Sequence, residues 1–101
     1  MSNKRRGLEK ERAGRKALEA LQYSVIPAKG SLGIFDAVAL NEKGIKLVQF
    51  KRVKGKYYSF KKDIEQMKAF KNCPPNTTKE LWIWLDRMKG RNAQWKKIKI
   101  K

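Results

Sequence analysis

The sequence contains no histidine and only one cysteine, Cys73, in 101 residues. A lone cysteine excludes an intrachain disulfide and fits a reducing compartment. Without histidine, neither a thiol–imidazole pair nor a Cys/His zinc site can be assembled, so Cys73 is expected to be a small buried or half-buried thiol. No apolar run approaches the roughly 18 residues of a membrane span. The basic start, Met1-Ser2-Asn3-Lys4-Arg5-Arg6, is not followed by the apolar stretch of a signal peptide, and neither end carries a lipidation motif. Acidic residues are scarce as well, 9 against 26 Lys and Arg, which leaves a net charge of +17. Charge this one-sided destabilises a compact chain by self-repulsion and is explained by a polyanionic partner. Nucleic acid is the first candidate, and the missing apolar segments count against a membrane surface.

The length suits one compact domain over residues 1–101, with a real but small core. Residues 1–6 read as a mobile basic arm. From 8 to 21, Ala, Leu, Glu, Lys and Arg at nearly every position predict a helix with Gly14 as its weak point. At about 100° per residue, Leu8, Gly14, Ala17, Leu18 and Leu21 share a stripe, Glu11 falls near its middle, and Glu9 lies almost opposite. A carboxylate on the buried stripe needs a cation or donors to compensate it, which singles out Glu11. Gly14, one turn further on, permits close packing against a sheet.

Residues 23–28 read as a strand, and Lys29-Gly30-Ser31-Leu32-Gly33 as a flexible loop leading to a hairpin. Two extended runs, 35–40 and 45–51, flank the turn Asn41-Glu42-Lys43-Gly44. Side chains alternate along a strand, so Ile45, Leu47, Gln49 and Lys51 share one face while Lys46, Val48, Phe50 and Arg52 share the other. The tract Arg52-Val53-Lys54-Gly55-Lys56-Tyr57-Tyr58 interleaves cations with aromatics, a pattern that suits phosphate contacts and stacking or, for each tyrosine, inward packing. Ser59 is positioned to cap a helix over 60–71 whose inner face is Phe60, Ile64, Met67 and Phe70 or Lys71. Cys73-Pro74-Pro75-Asn76 ends it. Residues 80–85 are apolar on both faces, as in a strand covered on both sides. A turn at Met88-Lys89-Gly90-Arg91-Asn92 leads to a last alternating strand over 95–101, with Ile98 and Ile100 inward.

The order helix, three strands, helix, two strands predicts an α/β fold, an αβββαβ core with a mixed sheet of about five strands flanked by helices. That topology brings Glu11 and Asp36 together where the first helix meets the hairpin, with Gln49 and Lys51 beside them. An amide, an ammonium and carboxylates at the open end of paired strands suit a hydrated cation beside a scissile phosphate.

Residues 7–51 resemble the PD-(D/E)XK nuclease superfamily and, within it, the archaeal-type Holliday junction resolvases that some phages also encode. The resemblance rests on Gly7, Glu11-Arg12, Leu18, Gln22-Tyr23-Ser24-Val25, Gly30-Ser31, Phe35-Asp36-Ala37-Val38-Ala39 and Leu47-Val48-Gln49-Phe50-Lys51. It implies a restriction-endonuclease-like fold and a metal-dependent endonuclease that resolves four-way DNA junctions by phosphodiester hydrolysis, leaving a 5′-phosphate. Glu11, Asp36, Gln49 and Lys51 match the family's catalytic residues, and Ser31 its loop serine. Glu11, Asp36, the Gln49 oxygen and the Phe50 backbone carbonyl would hold Mg²⁺, or Mn²⁺. Gln49 stands where the family pattern has Glu, so one neutral oxygen replaces a charged pair and metal affinity should fall. Arg12 matches a family arginine at the phosphodiester.

Lys4, Arg5, Arg6, Arg15, Lys29, Arg52, Lys54 and Lys56 are, with Arg12, the expected DNA contacts. Two matched cuts on a two-fold symmetric junction imply a homodimer, and a cytoplasmic location, or the host cytoplasm for a phage-encoded chain, is expected. Two other readings stay open. One is a nuclease of the same superfamily acting on flaps, nicks or duplex, and the other a nucleic-acid-binding module catalytically weakened by Gln49.

Overall fold

The computed structural model describes residues 3–28, 34–71 and 73–100, with side chains from residue 9 onward in the first helix. Helix α1 (Asn3–Ala20) leads into strands β1 (Ser24–Pro27), β2 (Ala37–Asn41) and β3 (Gly44–Val53). Helix α2 (Lys61–Ala69) and strands β4 (Thr77–Leu85) and β5 (Gln94–Ile100) complete the chain. The five strands form one sheet in the order β1-β2-β3-β4-β5, with β3 and β4 parallel and every other neighbouring pair antiparallel. The expected mixed five-stranded sheet between helices is therefore the observed architecture. No helix among the described residues is long and apolar enough to cross a membrane.

Alternation along β3 explains how one sheet serves two helices. Leu47 and Val53 join Leu81, Ile83 and Leu85 of β4, Phe35 and Met67 of α2 in one buried cluster. Val48 and Phe50 join Ala37, Ala39, Trp82 and Leu18 of α1 in the other. Each helix thus covers its own face of the sheet. Tyr57 is 88% exposed, whereas Tyr58 packs inward beside Phe60. Cys73 is a half-buried thiol at the edge of the α2-side core.

Local chemistry sets the joints. Asn41 Oδ1 accepts hydrogen bonds from the amides of Lys43 (2.9 Å) and Gly44 (3.2 Å), which closes the β2–β3 turn. Lys79 Nζ donates to the carbonyls of Met67 (2.6 Å) and Phe70 (3.0 Å), placing a cation at the negative C-terminal end of α2.

Three expectations are corrected. The first helix, expected from Leu8, begins at Asn3 and takes in the backbone of residues 3–6. Ser59 does not cap α2; Phe60 occupies the cap position with no side-chain bond, and its carbonyl accepts the Ile64 amide at 2.9 Å. Leu21 is 51% exposed, because the chain turns off the helix after Ala20 and swings it away from the stripe that buries Leu18.

Gly14 does allow the close approach its position suggested. A Cβ built there would lie 2.7 Å from Cδ1 and 2.8 Å from Cζ of the Phe50 ring. Alanine at this site would gain about 1 kcal/mol of helix propensity against an overpacking cost of about 1–3 kcal/mol. Gly14→Ala is expected to lower stability in urea denaturation, and Phe50→Leu in the same chain to recover part of the loss. A Gly14→Ala protein more stable than the parent would remove the close packing from the account.

Candidate functional site

The site is built around the place where β2 and β3 part. Their ladder ends at the pair Ala37 and Val48. Beyond it the Asp36 amide donates to the Val48 carbonyl (2.9 Å) and the Asp36 carbonyl accepts from the Ala28 amide (3.0 Å), so the Asp36 backbone is tied on both sides. Its carboxylate Oδ2 then accepts the Phe50 amide at 2.8 Å, in the place where a β2 carbonyl would have continued the ladder. From Gln49 onward, β3 pairs among the described strands with β4 alone. A residue's N–H and C=O leave a strand on the same side, so the Phe50 carbonyl opens toward the same gap.

Gln49 and Lys51 point together, as alternation requires, but onto the face covered by α2. There Asp63 Oδ1 lies 3.4 Å from Gln49 Nε2 and 3.4 Å from Lys51 Nζ. Gln49 is 7% exposed, and its Oε1 is buried with no hydrogen-bond partner among the described residues. The amide is thereby sorted, its nitrogen facing the carboxylate and its oxygen left over. Glu11 is half-buried on α1, one turn before the Gly14 that rests on Phe50. Since α1 packs on the Val48/Phe50 face, Glu11 and the Gln49–Lys51 pair belong to opposite faces of β3, with Asp36 at the edge between them. Glu11 and Asp36 each make a further polar or electrostatic interaction. Among the described residues, no three His, Cys, Asp or Glu side chains are grouped to hold a metal ion.

Ser31 and Lys29 lie outside the described residues, as do the side chains of Lys4, Arg5 and Arg6. Arg12, Lys54 and Lys56 are exposed and Arg15 is half-buried. Arg52 is committed internally, since its Nε and Nη2 donate to the Asp86 carboxylate at 3.0–3.2 Å. The Arg52 hydrogen bonds hold the Asp86 carboxyl below its usual range despite some desolvation, with Lys10 and Lys54 adding attraction. Lys46 is pushed up: burial opposes its charge, but bonds to Glu80 and Tyr23 outweigh it.

Sequence reasoning passed over Asp63. The signal was present, because on a helical wheel Asp63 falls on the Phe60, Ile64 and Met67 stripe, as Glu11 does on its own helix. No protein-family model matches this chain, and no curated protein matches it at significant similarity.

Two outcomes follow. Asp63→Ala strips the acceptor from a buried amide and is expected to cost about 1–3 kcal/mol in chemical denaturation. Asp63→Asn keeps an acceptor oxygen, loses only a partly exposed ion pair of about 0.2–1 kcal/mol, and should cost clearly less. The Asp86 contribution has the sign of a depressed carboxyl. It is complete above the ordinary value of 3.8 and is lost as pH falls through the lowered one. Asp86→Asn should therefore flatten that part of the acid limb when stability is compared at pH 6 and pH 3.

Proposed function

We propose that this chain is a structure-selective, metal-dependent endonuclease that resolves four-way DNA junctions by phosphodiester hydrolysis. The observation that carries the reading is the opened β2–β3 ladder. It lets the Asp36 carboxylate reach the Phe50 amide, and Phe50 lies between Gln49, whose oxygen is buried, and Lys51 on one short segment of β3. An oxygen buried without a donor is costly, and a cation relieves that cost, so Gln49 Oε1 fits a metal-ligating role. Asp36, Gln49 and the Phe50 carbonyl are the groups that would hold Mg²⁺ or Mn²⁺; Glu11, on the α1 face, would join them only across the sheet edge where Asp36 stands. An ion held there supplies Lewis-acid polarisation of the phosphoryl oxygen and a bound water of lowered pKa.

The chain's own groups do the rest. Asp63 restrains both the Gln49 amide and Lys51, so the donor oxygen and the cation keep their orientation. Lys51 offers positive charge to the phosphorane as it develops. Asp36 is fixed by three hydrogen bonds and needs little rearrangement. The net charge of +17 supplies the sequence-independent grip on phosphates, and the symmetry of a junction calls for a homodimer.

A second reading has an observation of its own. With Gln49 in place of a carboxylate and no three-acid group among the described residues, the same fold and charge suit a DNA-binding module with weakened catalysis.

One assay separates these. A labelled four-way junction and its linear arms are incubated with the protein in Mg²⁺, in Mn²⁺ and in chelator. Junction cutting that needs metal and outpaces cutting of the arms supports resolution. Equal cutting of the arms leaves a general nuclease, and binding without cutting in either metal leaves the binding module. Asp36→Asn is expected to abolish cutting while changing junction affinity little.

A further inference from the structure

The end of the sheet where β3 and β4 stop carries charge that the candidate site does not use, and Arg91 organises it. Its Nε (3.0 Å) and Nη2 (2.6 Å) donate to the Asp86 carbonyl, and its Nη1 donates to the Gly55 carbonyl at 3.2 Å. All three bonds run to backbone carbonyls, so this cation is spent on joining two loops. One is the turn after β4, closed by the bridge between Met88 and Arg91, with Gly90 at φ +82°. The other is the segment 54–56 that follows β3.

Joined in this way, Arg87 and Lys89 of the first loop and Lys54 and Lys56 of the second stand at the same end of the sheet, all exposed. None of the four is in an ion pair among the described residues. Asp86, beside Arg87 in the chain, already takes both arms of the Arg52 guanidinium. An open groove of about 550 Å³ runs along residues 87–92. Four cations outside any ion pair, with only the attraction of Asp86 for Lys54 to offset them, raise the energy of the free protein when a clamp holds them together. Apart from the half-buried Met88, nothing in the lining offers the apolar anchor on which protein partners rely.

We propose that the groove along residues 87–92, with Lys54 and Lys56 brought to the same end of the sheet by the Arg91 clamp, forms one phosphate-tracking surface for the backbone of a DNA arm leaving the candidate site. Lys54 stands three residues beyond Lys51, roughly 10 Å along an extended strand, so a DNA strand with a phosphate at Lys51 passes close to this end of the sheet. The inference shares with the proposed function its DNA partner and depends on no step of catalysis.

The test is binding without metal. Fluorescence anisotropy with a labelled four-way junction and a labelled duplex, in chelator and across a range of KCl, gives the slope of log affinity against log salt. Arg87→Gln with Lys89→Gln is expected to lower that slope by about 1.8, at 0.9 per phosphate, and to weaken binding about tenfold or more near 0.1 M salt. Lys43→Gln, in the β2–β3 turn at the opposite end of β3, removes a charge of the same sign and should change the slope far less. Arg91→Lys keeps the charge but loses the two-loop clamp, and should weaken binding with little change in net charge. Because Arg87 and Lys89 are exposed, the double variant is expected to retain its melting temperature. A slope unchanged in that variant overturns the groove, as does a loss equal to that of Lys43→Gln. If the parent cuts nothing but the double variant loses slope, the nuclease reading falls and the groove stands. If the parent cuts junctions and the double variant keeps its slope, the groove falls and the nuclease reading stands.

Discussion

Phe50 has an amide that no β2 carbonyl reaches, and the Asp36 carboxylate accepts it instead. That one bond lets a strand pair open without leaving a buried donor unpaired. Everything distinctive about β3 follows from it. The first half of the strand is paired on both sides, while the second half, among the described strands, is paired with β4 alone. Along that half the same residues serve three neighbours. Phe50 sends its ring to Gly14 of α1, its amide to Asp36, and its flanking side chains, Gln49 and Lys51, to Asp63 of α2.

Charge is managed by the same economy. Of the described acids that are not exposed, Asp36 accepts a backbone amide, Asp63 meets Lys51 and Gln49, Glu80 meets Lys46 and the Trp82 indole, and Asp86 takes Arg52. Glu11 too has a partner. Carboxylates drawn partly out of water must be compensated, so these residues hold the structure together and neutralise few of the surface cations. The surplus of +17 is left on the outside, where its repulsion falls with salt and with any bound polyanion. An anionic ligand would therefore be expected to stabilise this fold as well as to dock on it.

Element order was legible because periodicity is a local property. The stripe through Gly14 and Leu18, the Asn41–Gly44 turn and the alternation of β3 each declare themselves within a dozen residues, and each appears in the fold. Asp63 went unnoticed because its meaning depends on what faces it. A carboxylate in the first turn of a helix already has a local reason to be there, and only the crossing of α2 over β3 turns it toward Gln49 and Lys51. Leu21 and Ser59 failed for the opposite reason. Local preference spoke for them, and the path of the chain after Ala20 and into Lys61 overrode it.

By itself, then, the amino-acid sequence determined the five strands and two helices, the shared face of Gln49 and Lys51, and the cationic surface, since spacing and composition act between near neighbours. The tertiary structure alone decided which helix that face meets, that Asp36 closes the ladder through a side chain, and that Arg91 joins two loops 36 residues apart in sequence. Those outcomes depend on distances between segments remote along the chain, and such distances are set only when the whole sheet has been packed.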